Sequence, residues 1–544
     1  MASGDVDRVV AGVRRAQALF AEFSQEAVDK VVDALHEACM PHLERWARMA
    51  HEETGYGTVA DKTLKNRISA EDVYRYIRPM KTVGFISANP AQGLYEVASP
   101  MGVVAAVIPS TNPTSTAIYK VMIALKARNG IVLSPHPAAK ACIGAVASAL
   151  HDAAAAAGAP RGIIGILAEP SIEDTQTLMR HPGVNVILAT GGMGLVNAAY
   201  SSGKPAYGVG PGNVPAFIER TAPPVKAARD VIAGKSFDWG TVCASEQSVI
   251  VDLPIAESVK QAFREAGGHF VSDREKALLE ALVVDKSGHL NAKVVGRSPQ
   301  AIAEMAGFSV PGSVKALLVP EDGVGRDYPL TLEKLSPILS YFEADGWEAA
   351  CRRCIEVLTY GGLGHTLCLH TQDLEVVRQF ALRKPAFRIL INTPGTHGAV
   401  GYSTNLPPAM TLGCGALGNN ITSDNITPLH LMDRKRVAFE TRSVTADKAI
   451  PMPPLVKPGD GLEDAARRFV AQRFGGGQPQ ASPRGGANAP AAPPPQPAGP
   501  VDFVSEADVR AALQEGKKIR IHGRTLLTPS ARELGDAKGV FERT

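Results

Sequence analysis

The chain has 544 residues, 45% of them hydrophobic and 20% charged, with a formal net charge of +3. That length exceeds the usual size of one hydrophobic core and predicts two or more domains. The small net charge gives no basic field for nucleic acid, no uncharged apolar run reaches membrane-spanning length, and seven thinly spread cysteines fit a reducing compartment without disulfides.

The first residues, Met1-Ala2-Ser3-Gly4-Asp5, run into a charged amphipathic pattern with no apolar signal core, so a cytoplasmic protein is expected. Apolar residues at helical spacing (Val6, Val9, Val10, Val13, then Val28, Val31, Val32, Leu35) predict two surface helices within residues 5–50. From about residue 100, short apolar runs alternate with helical stretches. The pairs are 102–108 then 114–126, 130–133 then 138–157, 163–167 then 173–180, and 184–188 then 192–201. Four strand-then-helix units in succession predict a parallel sheet with helices packed on it. Ligands bind such sheets at the carboxyl ends of the strands.

A second mixed segment begins near Cys243, with strands predicted at 247–251, 313–319, 338–342, 367–369 and 388–391. Cys351 and Cys354 have a C-x-x-C spacing. No second cysteine or histidine pair completes a zinc site and 347–358 reads as helix, so no metal is expected. Composition changes at 475: residues 475–500 hold one charge and almost no large apolar side chain, which predicts a disordered, partly polyproline linker. In 501–544, Ser505-x-x-Asp508 marks a helix start with Val509, Ala512 and Leu513 on its apolar face. Residues 518–521 read as a strand, and 526–532 as a strand running into another helix. A unit this small buries little surface, so it is expected to dock on a partner.

Four segments carry the chemistry. Cys243 stands in Phe237-Asp238-Trp239-Gly240-Thr241-Val242-Cys243-Ala244-Ser245-Glu246-Gln247, among small residues and turn-formers that leave a sulfur reachable. Alone, such a cysteine is as readily a small core hydrophobe. In Ile108-Pro109-Ser110-Thr111-Asn112-Pro113-Thr114-Ser115-Thr116, between a strand and a helix, Asn112 can aim its amide at a developing oxyanion or simply form an Asx-turn. Thr190-Gly191-Gly192-Met193-Gly194 lets backbone approach a phosphate at a helix N-terminus, or makes a tight strand–helix turn; it lacks the full G-x-G-x-x-G pattern. The glycines of Gly208-Val209-Gly210-Pro211-Gly212-Asn213 serve either close approach to a ligand or a sharp turn.

Taken together, these segments resemble the aldehyde dehydrogenase superfamily, and within it the CoA-acylating branch. That branch includes the acetaldehyde dehydrogenase part of bifunctional alcohol/aldehyde enzymes and microcompartment aldehyde dehydrogenases. The matching stretches are 109–120, 134–140, 181–213, 235–249, 333–339, 361–366 and 411–415, in family order across about residues 1–450. The resemblance implies an α/β fold with a Rossmann-like nucleotide-binding domain and N-terminal helices (1–236) and an α/β catalytic domain (237–430). A return segment used for homo-oligomerisation (431–474), the linker (475–500) and a C-terminal docking module (501–544) follow.

The resemblance also implies roles. Cys243 is the expected nucleophile and Asn112 the side-chain half of the oxyanion hole. Thr111, Pro135, Thr190, Gly191, Gly192, Val209 and Gly210 are expected against the cofactor, NAD rather than NADP, with Glu333 on the nicotinamide ribose. Ser134 falls near the place where hydrolytic relatives carry a lysine on the adenosine ribose. His365, in Gly364-His365-Thr366, is expected either to assist an incoming thiol or to be a structural histidine in a Gly-rich turn. Glu246 and Cys414 are expected to be structural.

Attack of Cys243 on an aldehyde, followed by hydride transfer, leaves a thioester whose acceptor sets the enzyme class. Hydrolytic relatives hold a glutamate base in a Glu-Leu-Gly-Gly segment; here that place reads Tyr207-Gly208-Val209-Gly210-Pro211-Gly212. Water needs a base, whereas a thiol of pKa about 8.5 is partly ionised near neutrality. The expected acceptor is therefore coenzyme A, in a reversible reaction. A hydrolytic dehydrogenase and a non-catalytic scaffold are the alternatives. Acetaldehyde, propionaldehyde, sulfoacetaldehyde and amino-substituted aldehydes all fit as substrate. Residues 526–532 are similar to short segments of proteins encoded with bacterial microcompartments, which makes a shell or a partner enzyme the expected target of 501–544.

Overall fold

A computed structural model of the chain describes residues 3–285, 288–444 and 501–543. The predicted linker 475–500 and most of the return segment 431–474 lie outside the described residues. The chain divides into two compact units, Met1–Ala465 and Ala466–Thr544.

Three helices open the first unit, Ser3–Phe20, Gln25–Cys39 and Leu43–Thr54, where the spacing predicted two. The extra break is the turn Met40–His42: Pro41 has no N–H to continue the preceding helix. A five-stranded parallel sheet follows, in the order Ile164–Ile166, Gly130–Pro135, Val103–Ile108, Val186–Thr190, Ala206–Val209. Every residue of Val103–Ile108 and of Gly130–Pro135 is buried, as expected of parallel strands covered on both faces. The predicted strand–helix units fall on these elements.

A second, seven-stranded parallel sheet runs Gly268–Phe270, Ala316–Pro320, Ile338–Ala344, Glu246–Asp252, Val214–Ile218, Gly364–His370, Ala386–Ile391. Val214–Ile218 belongs here, so the chain leaves the first sheet within 210–213, well before the boundary expected at 236. Pro215 hides this strand in the sequence; it sits at a register irregularity, where a missing N–H is tolerated. A third, antiparallel sheet joins Gly84–Asn89, Leu94–Pro100 and Met432–Ala438. Among the described residues no helix is long and apolar enough to cross a membrane.

The second unit is a small β-α-β-α-β fold. Its three parallel strands are Val501–Val504, Ile519–Leu527 and Phe541–Arg543, and its helices Glu506–Gln514 and Pro529–Lys538. Ser505 N–H donates to Asp508 Oδ2 at 2.8 Å, closing the helix start that the spacing predicted. Residues 519–527 form one strand where two segments were predicted. Val504, Val509, Ala512, Ile521, Ala531 and Val540 form a core of its own.

Candidate active site

The order of the first sheet creates a crevice. The chain steps outward from Val103–Ile108 through Gly130–Pro135 to Ile164–Ile166, then returns to the other side of Val103–Ile108 with Val186–Thr190. The connections leaving these two neighbouring strands therefore diverge, which opens a space at their carboxyl ends. Residues 109–112 and Gly191, Gly192 and Gly194 follow these strands and border that space. The resulting cavity is about 610 Å³, within the size range of small-molecule and cofactor sites.

Elements of the second sheet close the other wall. Cys243 lies in the loop between helix Pro224–Ser236 and strand Glu246–Asp252, and Glu333 in the loop ahead of Ile338–Ala344. The cysteine loop is bent by two consecutive non-glycine residues in the left-handed region, Asp238 (φ 48°) and Trp239 (φ 53°). Such backbone persists only where the surroundings over-determine it. Asp238 is fully buried: its Oδ1 accepts from Thr58 N–H at 2.9 Å, and its Oδ2 from Lys62 at 3.0 Å, from Lys65, and from Thr241 Oγ1–H at 2.8 Å.

The Gly-rich segment 208–212 packs against this loop. A Cβ on Gly212 would lie 2.1 Å from the Cys243 carbonyl oxygen and 3.1 Å from His365 Cδ2. Gly212 N–H donates to Glu333 Oε1 at 2.8 Å, and Asn213 Nδ2 donates to Thr331 O at 2.8 Å and Val357 O at 3.1 Å. The last glycine of the segment thus serves close backbone approach to the cysteine loop.

Asn112 is held on both ends of its amide. Oδ1 accepts from Lys65 Nζ at 2.7 Å; Nδ2 donates to Thr111 Oγ1 at 3.1 Å and to Thr241 O at 3.3 Å. Burial, with Glu333 the largest charge effect, pushes the half-buried Cys243 thiol up to about 12, against a smaller opposing pull from Arg388. Burial raises Glu333 to about 7, despite the Gly212 N–H. The resting site therefore holds a thiol beside a carboxyl that titrates near neutrality.

Cys243, Asn112, Thr111, Pro135, Thr190, Gly191, Gly192, Val209, Gly210 and Glu333 all line the one cavity. Ser134 and His365 do not. Ser134 is fully buried, its hydroxyl engaged with Thr175 Oγ1 at 2.8 Å, so the side chain expected near a ribose is spent inside the protein. His365 is buried behind the wall; Nδ1 meets Thr366 Oγ1 at 2.9 Å and Nε2 has no hydrogen-bond partner. Burial and the nearby Arg388 push its pKa down to about 3, so the ring is neutral. Glu246 is buried and accepts from Gly395 N–H at 2.6 Å, and Cys414 is buried, both away from the cavity lining.

The residues are suited to a dinucleotide. Thr190 Oγ1 is buried without a hydrogen-bond partner, and Gly192 and Gly194 border the cavity with open space where a Cβ would stand. Lys65, Asp238 and Thr241 escaped the sequence reading. Lys62 and Lys65, three apart on helix Val59–Arg67, look like a solvated face, and their buried acceptor lies more than 170 residues away. Among the described residues no group of three or more His, Cys, Asp or Glu is placed to hold a metal.

Residues 1–274 match the aldehyde dehydrogenase family. The chain is 43% identical over 439 residues to the bifunctional aldehyde-alcohol dehydrogenase AdhE of Escherichia coli K12, covering 80% of this chain and 49% of AdhE. It thus spans about half the length of that relative. The solved acetylating aldehyde dehydrogenase of Geobacillus thermoglucosidasius aligns with a TM-score of 0.80 and 47% identity, over 82% of this chain and 98% of the other. A propionaldehyde dehydrogenase of Rhodopseudomonas palustris, solved with bound CoA and an acylated cysteine, aligns with a TM-score of 0.72 and 29% identity, over 80% and 97%.

Proposed function

Because the chain belongs to the aldehyde dehydrogenase family, we propose that it converts a small aldehyde, NAD and coenzyme A to acyl-CoA and NADH, reversibly. Cys243 Sγ attacks the carbonyl carbon and its S–H proton is released to solvent as the oxyanion forms, so the oxidation yields NADH and one proton. Asn112 Nδ2 and the Cys243 backbone N–H hold that oxyanion, an interaction worth about 3–4 kcal/mol per donor. NAD, when bound, would supply the hydride acceptor. Thr190, Gly191 and Gly192 would hold its pyrophosphate, Thr111, Pro135, Val209 and Gly210 its remaining contacts, and Glu333 its nicotinamide ribose. Collapse of the adduct leaves an acyl group on Cys243 Sγ.

The choice of acceptor rests on one observation. Among the described residues lining the cavity, Glu333 is the only carboxylate, and its Oε1 is tied to Gly212 N–H. With that carboxylate assigned to the nicotinamide ribose, water has no dedicated carboxylate base, whereas the thiol of CoA needs little help. The acylated cysteine and CoA of the Rhodopseudomonas palustris relative fit this reading. His365 lies outside the cavity lining and its pKa is pushed down to about 3, too weak a base to take a thiol proton outright, so it is the structural histidine of its Gly-rich turn. We further propose a homo-oligomer, NAD in preference to NADP, and recruitment of the enzyme to a microcompartment shell or a partner enzyme through 501–544. NADH formation is expected to require CoA and to vanish in Cys243→Ala. Full-rate NADH formation without CoA, giving free acid, would identify a hydrolytic enzyme instead.

A further inference from the structure

The oxyanion reading of Asn112 raises a question of geometry. The two ends of a carboxamide are nearly the same size, and only one is a donor. With Nδ2 toward the cysteine loop the amide stabilises a developing oxyanion; turned over, its carbonyl oxygen repels the same charge. The residue sits just ahead of helix Pro113–Lys126 without capping it, so no cap hydrogen bond sets the orientation.

Lys65 sets it. Its side chain is 3% exposed, and its ammonium can only donate. One contact goes to Asp238 Oδ2 and one to Asn112 Oδ1 at 2.7 Å, with Thr111 O at 3.4 Å and Thr241 Oγ1 at 3.5 Å as weaker neighbours. Turning the amide over would set its NH2 group against this buried cation. Neutralising Asp238 does not by itself require Lys65 to reach Asn112, because Lys62 already contacts the same carboxylate oxygen at 3.0 Å. Asp238 in turn belongs to the strained loop that carries Cys243. One buried cation therefore references the donor amide to the nucleophile's own loop.

We infer that Lys65 is a positioning residue: anchored on Asp238, it grips Asn112 Oδ1 and so keeps Nδ2 facing the Cys243 loop. This rests on the oxyanion role given to Asn112 above. The contact also draws electron density toward Oδ1, which strengthens the N–H donors.

A double-mutant cycle on the full chain tests it, with CoA-dependent NADH formation as the readout. Asn112→Ala is expected to lower kcat by about 10²–10³-fold. Lys65→Met is expected to lower kcat by about 10-fold or more, with the KM values for NAD and aldehyde within about two-fold. In the Asn112→Ala background the Lys65→Met loss should disappear, since no amide is left to orient. Lys65→Arg keeps a cation on Asp238 and provides a second folded variant. Its smaller loss, about three-fold or more in kcat, should vanish in the same background. A loss of equal size in both backgrounds, or no loss in any folded Lys65 variant, overturns the inference. Wild-type kcat in Asn112→Ala would remove the oxyanion reading itself, and this inference with it.

Discussion

At Cys243, burial and the Glu333 carboxylate act in one direction on the thiol and Arg388 in the other, and the first two prevail. The sulfur is thus protected from stray electrophiles until its surroundings change. Glu333 titrates near 7, so it carries its charge fully only above that pH. At pH 8.5, replacing it by glutamine removes a negative charge from the cysteine's surroundings and lowers the thiol's pKa. Glu333→Gln should therefore speed alkylation of Cys243 by iodoacetamide at pH 8.5, by about 3–10-fold for a shift of half to one pKa unit. At pH 5.5, where the native carboxyl is itself largely protonated, the two proteins should react alike. An unchanged rate at pH 8.5 would show that the carboxylate does not govern the sulfur. That Cys243 and Asn112 line one cavity was expected from the family resemblance of their segments; turn-formers alone left each open to a structural reading. Their electrostatics were not legible in the sequence, because Lys65 and Glu333 approach from distant parts of the chain, and Asp238, in the cysteine's own loop, meets its lysines only in the fold.

At the scale of elements, the site is a meeting of loops. The carboxyl ends of two parallel strands supply the wall proposed to hold the cofactor, and the loop ahead of Glu246–Asp252 carries Cys243, the proposed nucleophile. The Gly-rich segment between the two sheets packs on the cysteine loop at Gly212, where no Cβ fits. Gly212→Ala must displace the Cys243 carbonyl, and a displacement of about 1 Å at the reacting centre costs about 10²-fold in rate. We expect kcat to fall by that order, with NAD binding measured by fluorescence changed little. A variant with wild-type kcat would show that the contact has slack. The fully buried strands were readable as continuous apolar runs. Val214–Ile218 was not, because its proline argues against a central strand. Nor was the antiparallel sheet, whose last strand Met432–Ala438 carries Asp433, Arg434, Lys435 and Arg436.

At the scale of the molecule, the residues proposed to be catalytic all fall within the first of the two units, and the second has its own strands, helices and core. The units divide at 465/466, ahead of the composition break at 475, beyond which a stretch of Pro, Gly and Ala was expected not to bury a core. The small unit's fold was only partly legible: its helix starts carry capping residues, while the short strands Val501–Val504 and Phe541–Arg543 give too brief a pattern. Removing 475–544 should leave kcat within about two-fold, since no catalytic residue is lost. The same truncation is expected to abolish co-sedimentation with microcompartment shell. Loss of turnover on truncation would instead assign the small unit to the catalytic assembly.

The central claim is that Cys243 holds an acyl group which a thiol, and not water, removes. Mixing the enzyme with aldehyde and NAD in the absence of CoA, then quenching and measuring the intact mass, tests this directly. The account predicts one acyl group per chain, located on the Cys243 peptide, persisting for minutes and discharged within a turnover when CoA is added. An unmodified mass together with stoichiometric free acid, or an acyl group carried on another residue, would contradict it.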